Sequence, residues 1–320
     1  MKIVIVGPGA LGCLFAGFLS KNPDNLVWLL DKDPVRAELL KKTGIKISGL
    51  SKISIPPKKI NVTADPKEII VADLVIILVK SYDTESAVKN VLPCVNKDTI
   101  LVSLQNGLGN IEIIRSFFTG KNHPVILSGV TSLGATTLET GKIIHAGAGK
   151  TFIGVNRKQR LEPAIRNRIK NAFRNTGINI LLTNDIEPAV WSKLVMNSAI
   201  NPLAAITQMS NGELVDNCYV RDNLQQAAKE SALVAKALGI KLLFKNPEKE
   251  VVNGCMKSRK NRNSMLQDIL NKKQTEIEYI NGTVIKFAEK MKLETPVNKN
   301  LYSRVKSIEA GSLNAGQKNS

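Results

Sequence analysis

Gly7-Pro8-Gly9-Ala10-Leu11-Gly12 is a GxGxxG run that follows a short β-branched stretch, Lys2–Val6, and opens an apolar stretch with helical spacing, Leu11–Leu19. In that setting Gly7 permits a tight turn, Gly9 lets the backbone approach a ligand, and Gly12 lets helix and strand pack closely. The chemistry such a loop does is to hold a dinucleotide pyrophosphate on a helix N-terminus. Nineteen residues beyond Gly12, at the end of a second apolar run, stands Asp31, where an acidic side chain can bond a ribose hydroxyl. Asp31 by itself points to NAD. Lys32 follows it at once and Arg36 lies one helical turn on, and these cations suit a 2′-phosphate, so NADP is favoured and NAD is the lesser option. The plain alternative is a glycine-rich turn that binds nothing.

A second set of polar residues has the spacing of a helix face. Lys193, Asn197 and Asn201 fall at i, i+4 and i+8 in an otherwise apolar segment. An ammonium and two amides are costly to bury without partners, so a polar ligand or groove is expected, unless the stripe simply faces solvent. Two loops that follow apolar runs, Val79–Thr84 and Gln105–Asn110, place Lys80 and Asn106 at strand ends, where open α/β sheets bind ligands. Read blandly, Lys80 is solvated and Asn106-Gly107 is a turn. Ser264 or Asn263 can cap a helix there. Glu276 lies twelve residues past Ser264, about 120° round an ideal helix, so spacing alone does not bring the two together. With two histidines, His123 and His145, and four scattered cysteines, no metal site or disulfide framework is indicated.

The elements that must position these residues read clearly in the first half. Strands are expected at Lys2–Val6, Leu26–Leu30, Asp73–Val79, Thr99–Leu104 and Val125–Thr131. Helical segments lie at Pro34–Lys42 and Thr84–Leu92, and two short strands at Lys142–Val155. The alternation implies βαβ units. After about residue 160, helical periodicity takes over at Arg160–Asn175, Ile186–Ala205, Arg221–Leu238 and Met265–Met291, the last long enough for a central helix. The fold class is therefore α/β, an N-terminal Rossmann-type parallel-sheet domain (1–170) followed by a mainly α-helical domain (171–320). The end, from about Gly311, reads as a frayed polar tail.

The 320 residues exceed what one core usually serves, and 43% hydrophobic with 22% charged residues excludes a disordered chain. A net charge of +18 raises nucleic acid as a partner, but the bases are spread along the chain, +6 in residues 1–150 and +12 in 151–320. The densest run is Lys257, Arg259, Lys260 and Arg262. Aromatics at 4% leave few stacking platforms for bases, and a basic surface equally attracts small anions. Glycines and Pro8 interrupt the apolar N-terminus, which argues against a signal peptide, and no stretch is apolar enough to span a membrane. The expected setting is the cytoplasm, with a small-molecule substrate, no nucleic acid, no membrane and a homodimer as an option.

In this order, Gly7–Gly12, Val79-Lys80, Asn106-Gly107-Leu108-Gly109, Lys193-Leu194-Val195-Met196-Asn197, Asn201-Pro202-Leu203, Asn211-Gly212-Glu213-Leu214, Ser264-Met265-Leu266-Gln267-Asp268 and Thr275–Gly282 resemble the ketopantoate reductase (2-dehydropantoate 2-reductase) family over nearly the whole chain. The resemblance implies NADPH-dependent reduction of 2-dehydropantoate to (R)-pantoate, toward pantothenate and coenzyme A. It makes Lys193 the general acid and Glu276 its acidic neighbour, close to the nicotinamide ribose. It gives the cofactor to Gly7, Pro8, Gly9, Ala10, Leu11, Gly12, Asp31, Lys32, Lys80, Asn106, Glu276 and, through its backbone, Ala135. Asn106, Lys193, Asn197, Asn201, Asn211 and Ser264 would hold the substrate, and no metal takes part. The rivals are a related 2-ketoacid or hydroxyacid oxidoreductase on the same scaffold, and a non-catalytic NAD(P)-sensing protein.

Overall fold

The computed structural model describes residues 1–120 and 122–317, with side chains through residue 311. Strand β1 (Lys2–Val6) leads through the glycine loop into helix α1 (Ala10–Leu19), and β2 (Leu26–Leu30) leads into α2 (Pro34–Thr43), capped by Asp33. Then come β3 (Ile45–Gly49), β4 (Ile53–Ile55), β5 (Asn61–Thr63), β6 (Leu74–Ile77), α3 (Thr84–Val91), β7 (Ile100–Ser103), α4 (Asn110–Ser116) and β8 (Val125–Thr131). β9 (Gly134–Glu139), β10 (Lys142–Gly147), β11 (Lys150–Gly154), α5 (Pro163–Ala172) and β12 (Asn179–Thr183) complete the sheet-bearing part.

Eight strands form one sheet in the order β12-β11-β8-β7-β6-β1-β2-β5, parallel from β5 to β8, with β11 antiparallel to β8. The chain steps from β1 outward to β2 and then back across β1 to β6, so the glycine loop stands at the topological switch point. Along β1, Ile3 and Ile5 join one apolar cluster and Val4 and Val6 another, the two-sided burial of a parallel strand.

A second, four-stranded sheet, β4-β3-β10-β9, was not legible as such. Its strands are short, and β10 pairs with β3 across about a hundred residues of sequence. It packs on α1, where a Cβ on Gly17 would lie 2.3 Å from Ile47 Cδ1. Covered by a sheet on either side, α1 buries every residue from Gly12 to Leu19, which explains its signal-like apolarity.

By their contacts, Met1–Gln105 and Asn110–Ile186 form one compact unit, and Asn106–Gly109 with Glu187–Ser320 the other. A division at 170/171 would cut α5, and the strand β12 that pairs with β11 lies beyond it.

The second unit holds α6 (Glu187–Thr207), α7 (Asn211–Asp216), α8 (Cys218–Ala237), α9 (Pro247–Lys257), α10 (Ser264–Leu270), α11 (Thr283–Lys290) and α12 (Pro296–Gln317). Two apolar clusters flank α6: Val195, Ala199 and Leu203 belong with residues of α8 and α9, and Trp191, Leu194 and Ala205 with Met265, Ile277 and Val284.

The expected helix over Met265–Met291 does not exist as one piece. α10 stops at Leu270, and a wide π-helical turn, Glu278–Gly282, precedes α11. The stop is made by Lys272, whose φ of +53° is the left-handed conformation usually taken by Gly or Asn, so nothing in its type announced it. The polar end expected from Gly311 is instead helical to Gln317, and residues 318–320 lie outside the described part. Because Lys272 is exposed, Lys272→Gly removes its left-handed strain without losing contacts. It should raise stability by roughly 0.5–1 kcal/mol, read as a higher Tm in thermal unfolding.

Candidate active site

In the first unit the three glycines of the loop differ in their surroundings. Gly7 has φ +95°, and a Cβ there would lie 2.7 Å from Val79 Cγ1, while one on Gly12 would lie 2.1 Å from the Gly7 carbonyl oxygen. A Cβ on Gly9 would meet nothing within 4 Å. Gly9 is also the N-cap of α1 and brings no capping side chain. An open approach to free helix N–H groups is what a dinucleotide pyrophosphate requires, so the residues fit that group. Cys13, just inside α1, is buried and its thiol is pushed up to about 12 by desolvation, which leaves it protonated and inert.

At the end of β2, the buried Asp31 carboxylate accepts from Arg36 Nε at 2.6 Å and Nη2 at 2.5 Å, and from the Asp33 amide at 3.0 Å. Arg36 therefore clamps and neutralises Asp31, and Lys32 pairs with Asp83 at 2.8 Å. Lys80 begins the turn after β6, half-buried. Ala135 sits on β9, in register with His145, in the smaller sheet.

Sequence reasoning missed the clasp that holds the loops after β6 and β7. Gln105 Nε2 donates to Val79 O (3.2 Å) and Thr84 Oγ1 (2.7 Å), and Thr84 Oγ1 donates to Asn110 Oδ1 (2.9 Å). All three side chains are buried amides or hydroxyls bracketing the loops, a signal visible only once the strands are adjacent.

In the second unit, Lys193, Asn197 and Asn201 do lie on one helix, α6. Burial lowers the Lys193 ammonium from its usual range to about 8, against the opposing pull of the Glu276 carboxylate. Glu276 is only 4% exposed, and its Oε2 accepts from Asn106 Nδ2 at 3.0 Å. Asn106 reaches it because the 106–109 loop lies against the wide turn: the Leu108 amide donates to Tyr279 O at 3.1 Å, and a Cβ on Gly107 would lie 2.3 Å from that same oxygen. The structure thus brings Asn106, Lys193 and Glu276 together, although 170 residues separate Asn106 from Glu276.

Asn263, not Ser264, caps α10, its Oδ1 accepting from the Leu266 amide at 3.1 Å, so the exposed Ser264 hydroxyl is not spent as the cap. Asn211 opens α7, donates to Ser258 Oγ at 2.9 Å, and has a buried Oδ1 with no hydrogen-bond partner among the described residues. Among the described residues, no group of three or more His, Cys, Asp or Glu is placed to hold a metal, and no helix is long and apolar enough to cross a membrane.

A glycine loop at a Rossmann switch point, with a desolvated lysine–glutamate pair on a helical unit, defines the class of NAD(P)-dependent oxidoreductases. Family models confirm the particular branch: residues 3–158 match "Ketopantoate reductase PanE/ApbA" and residues 185–309 its C-terminal model. A Pyrococcus horikoshii protein named 2-dehydropantoate 2-reductase is 36% identical over 99% of this chain and 100% of its own, and one from Archaeoglobus fulgidus is 32% identical over 97% and 98%. Among solved structures, a ketopantoate reductase from Ralstonia eutropha superposes with a TM-score of 0.85 at 27% identity over 98% of this chain and 100% of that one. D-mandelate dehydrogenase with NADH and anilino(oxo)acetate superposes with a TM-score of 0.86 at 25% identity, over 98% and 99%. The chain belongs to the ketopantoate reductase family.

The two glycines make separable predictions. Gly12→Ala forces the Gly7 carbonyl to move and should cost about 1–3 kcal/mol of stability. Gly9→Ala meets no atom of the protein, so its Tm should stay near wild type while dinucleotide affinity, followed by nucleotide fluorescence, falls about tenfold or more.

Proposed function

We propose that this protein reduces 2-dehydropantoate to (R)-pantoate with NADPH, with Lys193 as the general acid. The observation that carries the reading is the Lys193 ammonium, brought to about 8 by burial and held against Glu276 on an apolar helix. A donor with that proton affinity is matched to neutral pH. A bound reduced nicotinamide supplies the hydride. As the substrate carbonyl carbon accepts it, Lys193 Nζ gives a proton to the carbonyl oxygen and stabilises the developing negative charge. Glu276 keeps the ammonium charged, and Asn106 is shared between cofactor and substrate. Asn197 and Asn201, one and two helical turns on, orient the substrate with Ser264 and the unpartnered amide oxygen of Asn211.

For the cofactor, Gly7 to Gly12 seat the pyrophosphate, with Lys80 and the Ala135 backbone as further contacts. The Arg36 clamp supports NADP, because it offsets the negative charge with which Asp31 would repel a 2′-phosphate, while the ammonium of Lys32 is itself paired with Asp83. The product belongs to the route toward pantothenate and coenzyme A. The four free thiols fit a reducing setting such as the cytoplasm. A second reading, another 2-ketoacid or hydroxyacid as substrate, is favoured by the likeness to D-mandelate dehydrogenase.

Parallel assays of a 2-ketoacid panel with NADPH and NADH, read by nucleotide absorbance, decide between the readings; ketopantoate with NADPH should have the highest kcat/KM. Lys193→Ala should lower kcat by about 10³-fold or more with nucleotide affinity near normal, and retention of most activity would sink the mechanism. Because only the protonated lysine donates, kcat should be level at neutral pH and fall as pH rises through about 8. Glu276→Gln removes the charge that raises the Lys193 value, so this falling limb should move to lower pH. Neutral replacements of Lys32 and Arg36 should raise KM for NADPH far more than for NADH, and equal effects would refute the NADP assignment.

A further inference from the structure

α6 contains a proline in its interior, Pro202, and proline has no amide hydrogen to donate to the carbonyl four residues back. That carbonyl belongs to Ser198, itself fully buried, so an uncapped acceptor there would be costly. The cap comes from Asn281 in the wide Glu278–Gly282 turn, whose Nδ2 donates to Ser198 O at 2.8 Å and to Asn298 Oδ1 at 2.9 Å. Both partners are acceptors, which sets the orientation of the Asn281 amide. Asn298 is fixed in turn: its own Nδ2 donates to Ala227 O (3.1 Å) and Glu230 Oε2 (2.8 Å), and its backbone amide to the same Glu230 oxygen (2.9 Å). One buried amide therefore ties the turn to α6, and through Asn298 to α8 and the start of α12.

That turn begins two residues after Glu276, the acidic member of the proposed proton-transfer pair, and is bonded to its backbone. The Glu276 carbonyl accepts from the Tyr279 and Ile280 amides at 3.1 Å each, and the Tyr279 carbonyl holds the loop that carries Asn106. Lys193 stands five residues before Ser198 on the helix at the other end of the tie. A π-helical turn spoils the regular backbone ladder, and such turns concentrate at functional sites. Here the irregularity is stabilised by an acceptor whose usual helical donor Pro202 removes.

We infer that Asn281 is a positioning residue: by capping the Ser198 carbonyl orphaned by Pro202, it fixes the turn that holds Glu276 in register with Lys193. The inference deepens the proposed role of Lys193 and rests on that reading for its catalytic meaning. Asn281 touches neither substrate nor cofactor in this account. The simpler view, that it only satisfies a buried carbonyl, makes a different prediction, because Pro202→Ala restores an amide hydrogen at position 202 and so a helical donor for Ser198 O.

The test compares wild type, Pro202→Ala, Asn281→Ala, the double variant and Glu276→Gln. Three quantities are read: Tm, kcat against pH, and the Lys193 titration by NMR of ¹³Cε-lysine-labelled protein, assigned with Lys193→Ala. Asn281→Ala should lower Tm, and Pro202→Ala should recover most of that loss in the double variant. The double variant should nevertheless keep a kcat about tenfold or more below Pro202→Ala alone. Its Lys193 titration should lie at lower pH than in Pro202→Ala, shifted in the same direction as in Glu276→Gln. A Lys193 titration unchanged from Pro202→Ala, or kcat recovered together with Tm, overturns the inference. If Asn281→Ala alone fails to fold, the double variant decides by the same two readouts. If the double variant's Lys193 titration moves and its kcat stays low as expected, but the wild-type kcat–pH profile does not track the wild-type Lys193 titration, the positioning role is supported and Lys193 is not the acid.

Discussion

Keeping a partly buried, desolvated lysine charged is the constraint from which most of the helical unit follows. Desolvation by itself drives an ammonium toward the neutral amine, and a carboxylate brought near opposes it. The carboxylate that does so, Glu276, is almost wholly buried and so must be held as well. It is held by Asn106 at its Oε2, by the backbone of the wide turn at its carbonyl, and by the preceding residue, whose amide donates to Glu309 Oε1 at 2.7 Å. A continuous helix from Met265 to Met291 would meet its backbone needs internally and leave no edge for the 106–109 loop. The break after α10 and the π turn expose Tyr279 O to that loop.

The sheet-bearing unit solves a different problem, bringing backbone close to backbone around the glycine loop. Each close approach is made where a side chain would obstruct it: Gly12 against the Gly7 carbonyl, and Gly7 against Val79. Gly9, by contrast, needs no room inside the protein, so its lack of a side chain is meaningful only toward a ligand. The sandwiching of α1 between two sheets fixes the axis of the helix that the glycine loop opens. The Asp31–Arg36 clamp adds a charge-assisted bidentate pair at the end of β2, turning an acidic position into a nearly neutral one.

Legibility followed the range of the forces involved. β1, β2, α2, α3 and β8 were readable almost to the residue, because periodicity, Asp33 as a cap and the β-branched runs are local signals. In the smaller sheet β10 was readable as one of the two short strands in Lys142–Val155, whereas β3, β4 and β9 were not, since three to six residues carry little pattern and the β3–β10 pairing that builds the sheet spans about a hundred residues. α9 and α12 went unread although Asn246 and the two N-terminal prolines mark their starts, and the end of α10 hid behind a lysine in a glycine-like conformation.

The amino-acid sequence alone determined the Rossmann half, the glycine loop, the helical character of the second half, and the alignment of Lys193, Asn197 and Asn201, because each depends on spacings within one element. Spacing left the acidic partner of Lys193 open and only the family resemblance pointed to Glu276; the tertiary structure decided that Asn106 joins Glu276, that Arg36 is spent on Asp31, and that Asn281 answers Pro202. Those pairings join residues from different elements, 79 to 170 positions apart where they cross helices or loops. Even the local Asp31–Arg36 pair depended on how α2 is set against the end of β2. Such contacts depend on where the chain turns back, and the turns that matter here are made by a lysine with positive φ and a π-helical stretch that residue types do not announce.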